Sequence, residues 1–186
     1  MLACPEKSTI VRTRLVSPDD MGRVLDTVFA GLSARSRYLR FHAPISRLPG
    51  PLRRQLADVD GQHRAALVAE TGPRGEAVPI GLVELADTGT GAADVALAVV
   101  DAWQRRGVGG CLLAAAAELA AGLGYTALRG LVLSENAAMR RLAHREFPSA
   151  RVRFGGETTE FTVPIGPVSS VVTHEDVLAD LLYRGI

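Results

Sequence analysis

The residues best placed to do chemistry are Gln104, Arg105, Arg106, Gly107, Val108, Gly109 and Gly110. They follow an apolar run that breaks at Trp103, and an Ala/Leu-rich stretch begins directly after them. That order predicts a strand, a bend and the first turn of a helix. At a helix start the N–H groups lack intrahelical acceptors and converge on one point, and the helix dipole adds positive potential there. The glycines let a ligand reach the backbone without side-chain interference, so the expected ligand carries phosphates. Two other phosphate signatures fail on spelling. The bend lacks the Lys-Ser/Thr that ends a P-loop, and Leu112 stands where a dinucleotide fingerprint needs its third glycine.

The elements that must position this bend can be read from periodicity. Alternation over residues 10–15 predicts a first strand, and Ser17, Pro18, Asp19 and Asp20 supply an N-cap, a first-turn proline and early acidic residues. The helix they begin runs to about Phe29 or Gly31. Ser33 caps a second short helix, and residues 49–58 form a third helical piece after a Pro/Gly break. Apolar runs at 65–70, 78–86 and 92–100 alternate with turn clusters, which predicts an antiparallel meander and disfavours a doubly wound dinucleotide fold. Val108, Leu112, Ala116, Leu119 and Leu123 then share one helical face, with Gly124 as a left-handed cap. Residues 128–133 form the next strand. Ser134 is expected to cap a helix that turns Met139, Leu142 and Ala143 inward and ends at Pro148. Residues 152–154 and 158–163 add two strands, and residues 175–183 a short helix in the tail.

A chain of 186 residues is one domain, long enough to bury a core. Its net charge of +1 argues against a nucleic-acid partner and against attraction to an anionic membrane. Cys4 and Cys111 are too few and too differently placed for a disulfide framework, and Cys111 reads as a small buried apolar residue. The N-terminus lacks a secretory apolar core, and the Ala-rich helix, interrupted by Glu118, is too short to span a bilayer. A cytoplasmic setting is therefore expected. No His/Cys/Asp cluster has metal spacing, so no metal is expected.

The stretch Gln104-Arg105-Arg106-Gly107-Val108-Gly109 resembles the pyrophosphate loop of GNAT-type N-acetyltransferases, a Gln/Arg-x-x-Gly-x-Gly/Ala pattern. The order of elements around it is also similar to that family. The resemblance implies an α+β fold over residues 10–165: a mixed, mostly antiparallel, twisted sheet of six or seven strands flanked by helices, splayed between its fourth and fifth strands. Residues 166–186 would form a tail, a candidate for exchange between two copies in a homodimer. The cofactor implied is acetyl-CoA. The amides of Gly107, Val108, Gly109 and Gly110 would hold its pyrophosphate, with Gln104, Arg105 and Arg106 beside it and Arg141 within reach of the phosphates. The strand segment Leu97, Ala98 and Val99 would pair with the pantetheine arm and polarise the thioester carbonyl, and Asn136 would contact the arm.

Within the superfamily, Ser36-Arg37-Tyr38-Leu39-Arg40-Phe41 and Ala93-Asp94-Val95-Ala96-Leu97-Ala98-Val99 resemble the acetyltransferase domain of bacterial Pat-type protein lysine acetyltransferases. That likeness implies transfer of acetyl to a protein lysine, with a small-molecule amine as the competing acceptor and a non-catalytic acyl-CoA sensor as the reading from another class. An alkylammonium titrates near pH 10, so a base must take its proton before it can attack. Pat-type proteins use a Glu where this chain has Asp94, one methylene shorter. Asp94 among Ala and Val would have its pKa raised by burial, and Glu84 on the neighbouring strand is the second candidate. Either carboxylate could equally be a solvent-facing strand residue. Tyr38 and Arg40 are expected to border the acceptor. Ala143 stands where many family members carry a tyrosine acid, which Pat-type enzymes also lack.

Overall fold

A brief parallel contact between two strands that otherwise diverge organises this molecule. The computed structural model describes residues 3–4, 11–73 and 75–166. The helix expected at 175–183 lies outside the described residues. Strands β1 (Ala3–Cys4), β2 (Val11–Leu15), β3 (Arg64–Thr71), β4 (Val78–Asp87), β5 (Ala92–Val99), β6 (Ala127–Leu133), β7 (Arg151–Gly155) and β8 (Thr158–Pro164) alternate with helices α1 (Pro18–Ala30), α2 (Ala34–Phe41), α3 (Gly50–Ala57), α4 (Val108–Gly122) and α5 (Ala137–Glu146). One sheet carries all the strands in the order β1-β2-β3-β4-β5-β6-β8-β7. Every pairing is antiparallel except β5 with β6. This is the expected α+β class, extended at one edge by the two-residue β1.

The sheet is covered on both faces, which explains the mixed periodicities of the sequence. Helix α4 is apolar almost all round and buries Val108, Leu112, Ala116 and Ala120 against Leu67, Ile80, Val83 and Leu85. On the opposite face α1 sets Met21, Val24, Leu25 and Val28 against Val16, Ala66, Val68 and Leu82. Truncating a fully buried residue such as Met21 to alanine should cost about 2–5 kcal/mol. Helix α5 covers a smaller cluster of Val132, Ala143 and Phe161.

Helix ends depart from the sequence reading in two places. Ser17 makes no side-chain cap bond, and α1 begins on Pro18 alone. Ser134 does not cap α5, because its hydroxyl donates to Gly156 O at 2.8 Å. The cap is Asn136, whose Oδ1 accepts from Met139 N–H at 3.0 Å. Gly124 does end α4 as expected, at φ +87°, while Tyr125 N–H closes back on Ala120 O at 3.0 Å. A further correction concerns Cys111, expected as an isolated apolar thiol: it is disulfide-bonded. No helix among the described residues is long and apolar enough to cross a membrane.

One polar network ties β2, β3 and α1 together. Arg14 on β2 bonds Glu70 on β3 through Nε at 2.9 Å and also reaches Asp20 in α1. Glu70 is one of only two buried polar side chains among the described residues, and this guanidinium offsets the cost of burying its charge.

Candidate active site

Beyond Asp94 the sheet splits. Strands β5 and β6 pair only through Ala92, Ala93 and Asp94 with Ala127, Leu128 and Arg129, so the rest of β5 has a bare edge facing the divergence. Val100 N–H is bonded to Ile80 O on the β4 side at 2.9 Å. Strand alternation therefore turns the main-chain groups of Val95, Leu97 and Val99 into the cleft and those of Ala98 toward β4. The carbonyl of Val99 is taken there by Gln104 Nε2 at 3.1 Å. Of the three strand residues expected to meet the coenzyme arm, Leu97 presents both main-chain groups to the cleft, Val99 presents its N–H alone, and Ala98 faces β4.

The bend closes the wide end of this cleft. A 3-10 turn at Asp101–Trp103 leads into Gln104, after which Arg105 (φ 60°) and Gly107 (φ 86°) take left-handed conformations. Gly107 is the N-cap of α4 and has no side chain to satisfy the helix start. The first helical bond is Cys111 N–H to Gly107 O at 3.1 Å, so by helix geometry the N–H groups of Val108, Gly109 and Gly110 have no acceptor in their own helix. A side chain at Gly109 would crowd Leu142 Cδ2 at 3.0 Å and Leu97 Cδ2 at 3.5 Å, so the absent Cβ lets α5 and β5 approach the bend. Arg106 does not point freely into solvent: its guanidinium lies 5.1 Å from the Trp103 ring centroid. Trp103 is half-buried on the α4-side core and anchors the bend there.

Gln104 is a strut. Besides Val99 O, its Nε2 donates to Asp101 Oδ1 at 3.1 Å and to Ser36 Oγ at 3.2 Å. Burial pushes the Asp101 carboxyl upward, but hydrogen bonds from Ser33 and Ser36 outweigh it and the net direction is downward. The two N–H bonds of the Gln104 carboxamide are thus shared among three protein acceptors.

Two carboxylates flank a cavity of about 190 Å³ on the α2/α3 face, lined by Arg40, Leu56, Val59, Arg64, Glu84 and Asp94 among others. Glu84 is 14% exposed and closes an ion pair with Arg40, itself 16% exposed. Arg40, expected to border the acceptor, is thus the partner of Glu84 in this structure. Asp94 is 54% exposed, so the apolar enclosure expected of it is not found. Arg129 Nε approaches Asp94 Oδ1 at 3.2 Å and Glu160 Oε1 at 3.9 Å without hydrogen-bond alignment. At the wide end Arg35 bonds Glu135 at 2.8 Å, and the Tyr38 hydroxyl donates to the same carboxylate. Glu135 is held low by Arg35 and then by Tyr38, and the phenol is pushed up by Glu135.

Residues 34–147 match the sequence profile of the Acetyltransferase (GNAT) family. The chain belongs to that family. Among solved structures, it is similar to the GNAT domain of S. lividans PAT, with 26% identity over 83% of this chain and 90% of that one at a TM-score of 0.73. A cAMP-binding acyltransferase from Mycobacterium smegmatis shares 23% identity over 93% of this chain but only 48% of its own, at a TM-score of 0.56. A putative phosphinothricin N-acetyltransferase shares the fold at 16% identity, over 84% of this chain and 99% of that one, at a TM-score of 0.60. No curated protein matches the chain.

The GNAT family uses acetyl-CoA, and this GNAT domain fits that cosubstrate. It offers a free strand edge at Leu97 for an amide-bearing arm, and unsatisfied N–H groups at Val108 to Gly110 for a diphosphate. Asn136 lies at the mouth of the cleft with its Oδ1 spent on the α5 cap and its NH2 group as the remaining donor. Ala143 is buried against Phe161 and Val132, so no phenol stands there. Sequence reasoning missed Arg64, Arg129 and Glu135. The first two fall on polar positions of half-buried strands, a pattern that also describes plain surface residues, and Glu135 meets Arg35 and Tyr38 only through tertiary structure.

Proposed function

We propose that this protein transfers acetyl directly from acetyl-CoA to a primary amine, with a protein lysine as the acceptor and residues 10–165 as the acting domain. The observation that carries the proposal is the cleft: β5 leaves β6 after Asp94, and the start of α4 stands at its open end. The strand edge at Leu97 orients the arm, and the amides of Gly107 to Gly110 hold the diphosphate. The thioester supplies an activated acyl carbon.

The acceptor approaches from the α2/α3 cavity, on the face of the sheet that carries Asp94. Asp94, directly or through one water, takes the ammonium proton. The neutral nitrogen then forms the C–N bond while the C–S bond breaks; the nitrogen releases its second proton to solvent and the thiolate takes one from it, since Ala143 provides no acid. The likeness to Pat-type phrases in α2 and β5 supports lysine over a small amine. We propose no nucleic-acid or membrane partner, and a homodimer through the tail fits the same reading.

Turnover of acetyl-CoA against lysine peptides and polyamines tests this. Acceptor-dependent release of free thiol, lost in Asp94→Ala, supports it. Tight coenzyme binding without any release would replace it with the sensor reading.

A further inference from the structure

The cavity under α2 and α3 contains one charge that has no partner among the described residues. Glu84 is neutralised by Arg40, and Asp94 has Arg129 at 3.2 Å. Arg64, at the start of β3, lines the same cavity, is half-buried, and its guanidinium has no ion pair or hydrogen bond among the described residues. The register fixes where it stands. Arg64 is opposite Ala86 on β4, and Ala86 is opposite Asp94 on β5. The three residues therefore form one row across the sheet on a common face, with a methyl in the middle and opposite charges at the ends. Two strand spacings separate the ends, about 10 Å between backbones.

We infer that this row is a recognition site for an acceptor that carries an anionic group a short distance from its reactive ammonium, with Arg64 selecting the anion. The inference rests on the acetyl-transfer reading above and narrows its substrate class. The ammonium sits toward Asp94, on the strand whose edge would carry the thioester, and the carboxylate sits two strands away on Arg64. Ala86 leaves the floor between them open, and Leu56 and Val59 provide an apolar wall for the connecting methylenes. A cavity of about 190 Å³ has room for a short alkyl stem. Without a protein partner among the described residues the guanidinium is available to a ligand, and a carboxylate or phosphate is the geometry its planar fork suits.

The shared chemistry could come from a lysine with an acidic neighbour in a protein, or from a free amino acid with a terminal amine. Both are tested on the whole protein. Steady-state kcat/KM would be measured for lysine peptides with Glu or Ala beside the lysine and for 6-aminohexanoate against hexylamine, in wild type, Arg64→Gln and Arg64→Glu. Calorimetric titration of 6-aminohexanoate and hexylamine gives a readout independent of turnover. The expected result is a preference of roughly tenfold for the anionic member of a pair, lost in Arg64→Gln and inverted in Arg64→Glu, with the KM for acetyl-CoA unchanged. A preference confined to the peptides assigns the site to proteins, and one confined to 6-aminohexanoate assigns it to free amino acids. Turnover with equal preference in all three proteins, together with equal binding of the two amines, overturns the role of Arg64 and leaves acetyl transfer standing. Binding of 6-aminohexanoate that depends on Arg64 in a protein that transfers no acetyl keeps the site and removes the acetyl-transfer reading.

Discussion

The carboxamide of Gln104 donates to the carbonyl of Val99 at 3.1 Å across the foot of the bend. This bond links the bend to the last residue of the bare strand, so the two halves of the proposed coenzyme site are held in one register. Its other acceptors, Asp101 and Ser36, bring α2 into the same brace. Replacing Gln104 with leucine should therefore lower acetyl-CoA affinity by about five- to tenfold through the loss of a brace worth about 1–1.5 kcal/mol, with little change in Tm. Isothermal calorimetry checks the affinity, and unchanged binding would show that the bend is rigid without it.

The left-handed turn at Gly107 is the second demand on the bend. An L-residue at φ 86° is strained by about 1–2 kcal/mol, so Gly107→Ala should reduce both Tm and coenzyme affinity. Gly109→Leu has another cause, since its side chain would enter the space filled by Leu142 and Leu97. It should weaken acetyl-CoA binding at least tenfold. Normal affinity in Gly109→Leu would place the diphosphate elsewhere.

For the proton acceptor, Asp94→Asn should lower kcat/KM by roughly 10²-fold or more. Glu84→Gln differs in kind. It leaves Arg40 without its partner inside a half-closed cavity, so it should lower stability by about 1–3 kcal/mol and change kcat/KM far less than Asp94→Asn does. A larger loss of kcat/KM in Glu84→Gln than in Asp94→Asn would exchange the two roles.

Much of this was legible before any coordinates. The spelling of residues 104–110 gave the bend, because glycines and a following apolar helix are local signals, and the meander followed from turn clusters. Asn136 was singled out as a ligand contact while its cap on α5 went to Ser134: both residues precede the same helix, and only backbone geometry decides which oxygen meets Met139 N–H. The pairing of Glu84 with Arg40 joins residues 44 apart in the chain, and that of Glu135 with Arg35 joins residues 100 apart. Periodicity within one element carries no information about such pairs. The unsatisfied Arg64 was invisible for the same reason, since its neighbours across the sheet are set by register.

Acid sensitivity should report on the network around Arg14. The Asp20 carboxyl is held below its ordinary value of 3.8 by hydrogen bonds from Arg23 and then Arg14. A depressed pKa contributes stability that is complete above about pH 4 and is lost as pH falls through the lower folded-state value. Asp20→Asn should lower stability by about 1 kcal/mol at pH 7 and make the loss below pH 4 shallower. Urea melts at pH 7 and pH 3 check it, and parallel pH dependences in the two proteins would remove Asp20 from the network's energetics.

Amide hydrogen exchange with and without acetyl-CoA tests the cleft most directly, because it reads the main-chain groups on which the account depends. Slowed exchange at Leu97 and at Gly107 to Gly110, with little change on β2 and β3, is the predicted result. Saturating acetyl-CoA that leaves those amides exchanging as fast as before, or protects a different surface, would contradict it.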